Sequence, residues 1–274
     1  MRFFSKYTYY LWSIFELLFG VKNWKVLFEI FLGKPFIGVK WLELRRNDLK
    51  VGVGSKMEAW SVKETLIDRF YTKLGTEIQS DWLVVDIGAA IGEFTIEASL
   101  QLTNGIVFAF EPNPGSINIL RQNIRANNLR CVETFNLGVW NEKGEIPLHF
   151  LNNEPLQAVS GVENCANLET GLETSIPVIT LEQVVEEIVG EKVDLMKLDC
   201  EGAEYEILLH QDPKLFTKID RIIMEYHDLD EQRNHHILKS RLEEFGYQVS
   251  QHDNRVHDNL GYLYADRVAR RNSR

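Results

Sequence analysis

Through the first 35 residues apolar and aromatic side chains follow one another with little interruption: Tyr9, Tyr10, Leu11, Trp12, Ile14, Phe15, Leu17, Leu18 and Phe19 surround Glu16, and a second run covers residues 26–32. The pattern predicts helices that are apolar nearly all round. Neither run reaches the ~20 residues that a membrane-spanning helix needs, and no small-residue cleavage site follows. The stretch is expected to pack on its own domain or on a second subunit, as in a homodimer. The alternative is peripheral membrane contact through residues 1–33, with Arg2, Lys6, Lys22 and Lys25 meeting anionic headgroups.

Past residue 37 the period changes. Alternation predicts strands at 38–44 and 49–53, then a helix over 61–74 with Leu66, Ile67, Phe70 and Leu74 on one face and Gly75 as its stop. The run Val84-Val85-Asp86-Ile87-Gly88-Ala89-Ala90-Ile91-Gly92 reads as strand, Gly-bearing loop and helix start. A second strand covers 106–110 and ends at Glu111. Asn113 is then a natural N-cap and Pro114 a natural first helical residue, opening a helix that turns Ile117, Leu120, Ile124 and Leu129 inward. A third strand spans 131–137, with Gly138 past its end. Strands at 145–151 and 176–179 flank residues 152–175, which lack periodicity and are expected to be a functional loop. A short helix at 181–188, a strand at 193–198, a helix at 204–209 and a strand at 219–224 follow. The last helix carries Ile237, Leu238, Leu242 and Phe245 and stops at Gly246, and 247–251 pairs with 260–264 as a hairpin. Strands alternating with helices mean an α/β domain with a mostly parallel sheet, to which the hairpin adds one antiparallel strand. The expected division is an N-terminal helical and strand extension over 1–50 and a catalytic domain over 51–274.

Composition narrows the partners. Hydrophobic residues at 45% and charged residues at 26% are those of a globular chain. A net charge of −10 disfavours nucleic acid, which is gripped by clustered Lys and Arg; the basic tail of Arg267, Arg270, Arg271 and Arg274 reads as a solvated end. Cys131, Cys165 and Cys200 form no Cys-x-x-Cys pair, so neither a zinc site nor a disulfide framework is suggested, and a cytoplasmic location fits.

In an open α/β sheet, ligands bind beyond the carboxyl ends of the strands. Those ends carry Asp86 with the Gly loop, Glu111, Leu137-Gly138, Asp199-Cys200-Glu201, and Glu225-Tyr226-His227. Glu111, 19 residues past Gly92, is placed to accept hydrogen bonds from both hydroxyls of a ribose. The ligand is then a nicotinamide dinucleotide or S-adenosylmethionine. The spacing Gly-x-x-x-Gly departs from the dinucleotide fingerprint, Ala89-Ala90 stand where the close-approach glycine would be, and Asp86 would face a pyrophosphate. A carboxylate-rich pocket suits the ammonium and sulfonium of S-adenosylmethionine.

Four blocks, DIGAAIGEFT from Asp86, AFEPNPGSINILRQNI from Ala109, Val178-Ile179-Thr180-Leu181, and DLMKLDCEGAEYEIL from Asp194, resemble the FkbM family of S-adenosylmethionine-dependent methyltransferases over residues 51–264. The resemblance implies a Rossmann-like methyltransferase fold with a seven-stranded sheet, and O-methylation of sugar or polyketide hydroxyls on a small-molecule or glycan acceptor. It places Asp86, Gly88, Ala89 and Gly92 at the methionine end of the cofactor, Glu111 at the ribose with Asn113 and Gly138 nearby, and Asp199, Glu201 and Gly202 beside the transferring methyl. Ala90 stands where the family more often has Asn, and Cys200 where it more often has Val.

Methyl transfer needs an oxygen held in line and a place for its proton. Asp199 is the first candidate base. Lys197, Asp199 and Glu201 would share a strand face, where Lys197 keeps Asp199 ionised or simply pairs with it structurally. A neutral His227 is the alternative base. A metal held by Asp199, Glu225 and His227 has no spacing signature, and none is assigned. Glu204 is explained by the helix macrodipole, and His235-His236 by an exposed helix start. Residues 152–175, with Asn152, Asn153, Gln157 and Ser160, are expected on the acceptor rim. The competing functional class is a binding or scaffold protein that keeps the fold without turnover.

Overall fold

The computed structural model describes residues 2–32, 38–75, 77–151, 154–159, 172–254 and 256–267. Two helices, α1 (Arg2–Gly20) and α2 (Lys25–Phe31), precede a hairpin of β1 (Lys40–Glu43) and β2 (Lys50–Val53). One stripe of the helices is buried: Leu17, Val21, Leu27 and Ile30 share a cluster with Leu42, Leu44, Val51, Val53, Ala59, Val62, Ile91 and Ile96. The hairpin thus crosses residue 50 within one core. Lys63, fully buried, pairs with Glu16 and Asp68 and lies over the rings of Tyr9 and Trp60. The other stripe, with Leu11, Trp12, Ile14, Phe15, Phe19, Phe28 and Leu32, is exposed. Among the described residues no helix is long and apolar enough to cross a membrane.

The helix expected over 61–74 is built differently. It starts earlier, as α3 (Lys56–Val62), because Ser55 accepts from the Glu58 amide as N-cap. A π turn over Lys63–Ile67 and a left-handed Arg69 (φ 57°) then break it, and α4 (Phe70–Lys73) resumes at a new angle. Gly75 ends the segment at φ 109°.

The central elements follow in chain order: β3 (Leu83–Ile87), α5 (Glu93–Ser99), β4 (Ile106–Phe110), α6 (Pro114–Ala126), β5 (Val132–Phe135), β6 (Gly138–Trp140), β7 (Gly144–Leu151), β8 (Glu154–Val159), β9 (Leu172–Thr180), α7 (Leu181–Gln183), β10 (Leu195–Leu198), α8 (Glu204–Leu209), β11 (Arg221–His227), α9 (His235–Glu244), β12 (Tyr247–Asp253) and β13 (Leu260–Arg267). Seven strands form one sheet in the order β12-β13-β11-β10-β3-β4-β5, in which only β13 runs against the rest. This is the Rossmann-like methyltransferase topology that the sequence led us to expect.

Register decides which residues face which layer. Lys197 lies beside Asp86 and Ile223, while Leu198 lies beside Ile87 and Met224. Because side chains alternate along a strand, Val84, Leu195 and Ile223 pack with Tyr71, Phe94 and Tyr262 on one face. Val85, Ile87, Met196, Leu198 and Met224 pack with Tyr205 and Leu238 on the other. Strand β11 runs on through His227, beyond its expected end, because Gly261 on β13 leaves room for the Tyr226 ring; a Cβ there would stand 2.2 Å from the Tyr226 hydroxyl oxygen.

Residues 152–175 are not one loop. Strand β8 pairs with β7, and β9 begins at Leu172, so a second sheet of order β6-β9-β7-β8 stands where irregular chain was expected. Of the residues expected on the acceptor rim, Gln157 belongs to β8, while Asn152, Asn153 and Ser160 fall outside the described residues, as do Cys165 and the tail beyond Arg267.

Candidate active site

Asp86 closes β3, fully buried, and is spent on structure. Its Oδ2 accepts from the Thr95 hydroxyl at 2.6 Å, and Lys197 Nζ lies 3.3 Å from Oδ1. Lys197 also donates to the Gly88 carbonyl at 2.7 Å and approaches Asp199 Oδ2 at 3.6 Å. Burial alone would lower the Lys197 pKa, but Asp86 and Asp199 outweigh it and the value is raised, so the ammonium is held charged. One buried cation therefore fastens the Gly loop to the end of β10.

The loop is tight. Gly88 has φ 73°, and a Cβ on it would stand 1.9 Å from the Asp199 carbonyl oxygen. The Gly88 and Ala89 amides both donate to the Phe110 carbonyl, and Gly92, at φ 94°, opens α5. Ala90 sits at φ 47°, a conformation that costs an alanine about 1–2 kcal/mol and an Asn less.

Glu111 is fully buried. Its carboxylate accepts from the Ala90 amide at 2.8 Å and the Asn113 amide at 2.7 Å, tying the Gly loop to the turn after β4. Burial pushes its pKa up to about 7 against those two hydrogen bonds. Asn113 caps α6 through Gly115 and Ser116, so its side chain serves the helix.

On one side of the strand ends lies a largely apolar groove, lined in part by Ile87, Gly88, Phe110, Pro112, Gly138 and Cys200. On the other side is a row of charge. Tyr71 donates to Asp199 Oδ2 at 3.1 Å, and burial keeps its hydroxyl protonated. No protein hydrogen bond reaches Asp199 Oδ1 among the described residues. Next to it Glu225 has its pKa raised, first by burial and then by Asp199.

Glu201 and Glu204 depart from expectation. Strand β10 stops at Leu198, so Glu201 is on a turn at φ 52° and precedes helix α8. Glu204 does more than offset a macrodipole: its carboxylate accepts from the Cys200 amide at 2.7 Å and the Gly202 amide at 2.9 Å, and stands 3.4 Å from His227 Nδ1. His227 Nε2 in turn lies 3.3 Å from Glu201. Burial would lower the His227 pKa, but Glu204, Glu201 and Asp199 raise it to about 10, so the neutral imidazole expected of an alternative base is not the form this cluster holds at neutral pH. His235 is also not freely exposed: its Nδ1 pairs with Asp228 at 2.8 Å and its ring stacks on Tyr226.

Two residues have a role in this site that the sequence does not show: Tyr71, and Glu204, whose macrodipole reading leaves out its contact with His227. Tyr71 reaches Asp199 across 128 positions of chain, with no local signal to mark it. Glu204 could have been found as an acid that faces the preceding turn's amides as well as its own helix.

Glu93 supplies a test of the burial argument. Its carboxyl is buried at the start of α5, Oε1 has no hydrogen-bond partner among the described residues, and burial pushes its pKa to about 8. Unfolded, the group ionises near its ordinary 4.5. Its contribution to stability is therefore full below pH 4.5 and is lost as pH rises through 8. Urea unfolding at pH 5 and pH 8 should show Glu93→Gln gaining on the parent by up to about 4 kcal/mol across that range. A constant difference between the two proteins would show that Glu93 ionises normally.

The topology, the Gly loop and the carboxylate-lined strand ends together define a Rossmann-like, S-adenosylmethionine-dependent methyltransferase. The Methyltransferase FkbM domain family matches residues 86–249, and the chain belongs to that family. It is 26% identical over 203 residues to Methyltransferase 1 of Beauveria bassiana, covering 69% of this chain and 80% of the relative. It is 25% identical over 193 residues to the 31-O-demethyl-FK506 methyltransferase FkbM of Streptomyces tacrolimicus, covering 61% and 74%. Among solved structures, Methyltransferase FkbM of Methylobacillus flagellatus aligns over 77% of this chain and 54% of its own, at a TM-score of 0.47 and 13% identity.

Proposed function

We propose that the protein moves a methyl group from S-adenosylmethionine to a hydroxyl oxygen of a sugar, glycan or related natural product. The observation that carries this reading is the position of Asp199. It ends the strand beside the Gly loop, 28% of its side chain is exposed, and Lys197 and Tyr71 both address its Oδ2. An exposed carboxylate held by a buried cation, next to a loop shaped by Gly88, suits a neutral alcohol that must surrender a proton.

The residues present fit the cofactor. The apolar groove suits a purine, and the absence of a side chain on Gly88 lets the Gly loop lie against the Asp199 carbonyl. Glu111 ends β4 beside the Gly loop, the position from which a carboxylate accepts from a ribose diol. When bound, the cofactor supplies an activated methyl on a sulfonium. The chain's own part is to orient the acceptor oxygen, hold the Asp199 carboxyl group beside Lys197 and Tyr71, and receive the proton. The Streptomyces tacrolimicus relative bears an oxygen acceptor in its name, which favours oxygen over nitrogen or carbon here.

The deciding experiment combines calorimetry with S-adenosylhomocysteine and NAD with a mass-spectrometric screen of hydroxylated acceptors for a gain of one methyl. Tight NAD binding without the homocysteine ligand would sink the reading. Cofactor binding without turnover on any acceptor would favour a scaffold.

Glu111→Ala should weaken S-adenosylhomocysteine binding by about 1.5–3 kcal/mol, the range for a charged hydrogen-bond partner. Its melting temperature should fall as well, because the Ala90 and Asn113 amides lose their acceptor. Unchanged affinity in a folded variant would confine Glu111 to holding the loop.

A further inference from the structure

We propose that Asp199, Glu201 and His227 form a site for one divalent cation of the Mg²⁺ and Mn²⁺ class, on which the acceptor hydroxyl is received. Each residue offers one ligand atom, and the three atoms lie within 4.8 Å of one another. They come from different elements: Asp199 from the end of β10, Glu201 from the turn before α8, and His227 from the end of β11.

The histidine sets this group apart from an ordinary patch of surface acids. His227 is 8% exposed, so its ring is fixed by its surroundings. Its Nδ1 faces Glu204 Oε1 at 3.4 Å, and Glu204, fully buried, is itself pinned by the amides of Cys200 and Gly202. An imidazole that binds metal through one nitrogen commonly gives the other to a carboxylate, which sets the tautomer and the ring orientation. Here Glu204 has that place, and the ion takes the position of the proton between Nε2 and Glu201, 3.3 Å away, releasing that proton to solvent on binding.

Asp199 is likewise prepared. Tyr71 occupies Oδ2, leaving Oδ1 with no protein hydrogen bond among the described residues. Carboxyl groups outnumber basic groups here, since Asp86, Asp199, Glu201, Glu204 and Glu225 gather around Lys197 and His227. Two carboxylates and one imidazole make a mostly hard donor set, which favours Mg²⁺ or Mn²⁺ over softer metals. Adjacent ligands of an octahedral ion at about 2.1 Å stand about 3 Å apart. The cluster must therefore contract, and Glu201, with 48% of its side chain exposed, has the room to do so.

Three protein ligands leave positions for water and for the acceptor oxygen. The ion lowers the pKa of the coordinated hydroxyl. The proton passes to solvent, the oxygen lone pair forms the bond to the methyl carbon, and the C–S bond pair returns to sulfur, leaving S-adenosylhomocysteine. In the loaded site Asp199 acts as a ligand, and the ion replaces it as the group that activates the hydroxyl. That role rests on the methyl-transfer reading; binding of the ion does not.

The test is titration of the chelator-treated full chain with Mn²⁺, followed by loss of the free-ion electron paramagnetic resonance signal. S-adenosylhomocysteine calorimetry is run on the same preparation. One Mn²⁺ per chain is expected. Glu201→Gln and His227→Gln should each weaken it at least 10-fold, and Glu204→Gln by roughly 10-fold through the imidazole. Glu201→Gln is the decisive variant, because its half-exposed side chain leaves the core untouched. A folded chain that binds S-adenosylhomocysteine but no Mn²⁺ overturns the proposal, as does parental Mn²⁺ affinity in Glu201→Gln. Mn²⁺ binding lost in these variants, without S-adenosylhomocysteine binding by the parent, would uphold the cation site and remove the cofactor reading.

Discussion

Asp199→Asn is expected to lower methyl transfer by ~10²-fold or more, the contribution of a positioned proton acceptor, while leaving S-adenosylhomocysteine affinity within about twofold. The amide keeps the shape of the side chain and an oxygen for the Tyr71 hydroxyl, so the strand end stays in place. What it loses is the negative charge beside Lys197. Single-turnover methylation followed by mass spectrometry separates this from a change in cofactor binding. Normal turnover in Asp199→Asn would remove Asp199 from the chemistry. The same assay with and without Mn²⁺ apportions its role: a loss that persists in chelated enzyme assigns the proton to Asp199, and one confined to loaded enzyme assigns activation to the ion.

Gly88→Ala should have the largest effect on the folded state. The new methyl would meet the Asp199 carbonyl oxygen at 1.9 Å and its carbon at 2.9 Å, and backbone atoms have no rotamer with which to move aside. The φ of 73° adds strain of its own. Overpacking and left-handed strain together are expected to cost about 3 kcal/mol or more, which for a chain of this size lowers the melting temperature by roughly 6–12 °C. Because the collision lies between β3 and β10, the Lys197 link to the Gly88 carbonyl is disturbed too, and S-adenosylhomocysteine binding should fall with stability. A variant that melts with the parent and binds the ligand normally would show that the loop has slack enough to seat the methyl.

Local signals account for what could be read from the chain. The five-residue apolar run of β4, closed by Glu111 and the Asn113-Pro114 cap, reports its own boundaries, since burial and capping both act over neighbouring residues. The same holds for α8 and for the Gly246 stop after α9. Periodicity does not register a π turn such as Lys63–Ile67, which adds part of a residue per turn without altering composition. Nor does it show three-residue β6, whose identity as a strand comes from pairing with β9 some 40 residues later. The site divides in the same way. Asp86, Asp199 and Glu111 stand at strand ends and were visible as such. Tyr71, the buried placement of Glu111 and the Glu204 support for His227 arise only when distant segments meet.

The position of β13 governs how the chain can be made. Strand β12 pairs with no strand of the older sheet and joins it through β13, which pairs with β11 on one edge and β12 on the other. During synthesis the β11 edge must therefore wait, unpaired, from the time residue 227 appears until residue 267 has followed. At ordinary elongation speeds that interval is about 2–8 s. Throughout it a nascent chain carries an open parallel sheet edge, the kind of surface on which unfinished chains pair with one another. The ribosome-bound protein is thus most prone to aggregate just before its last strand arrives.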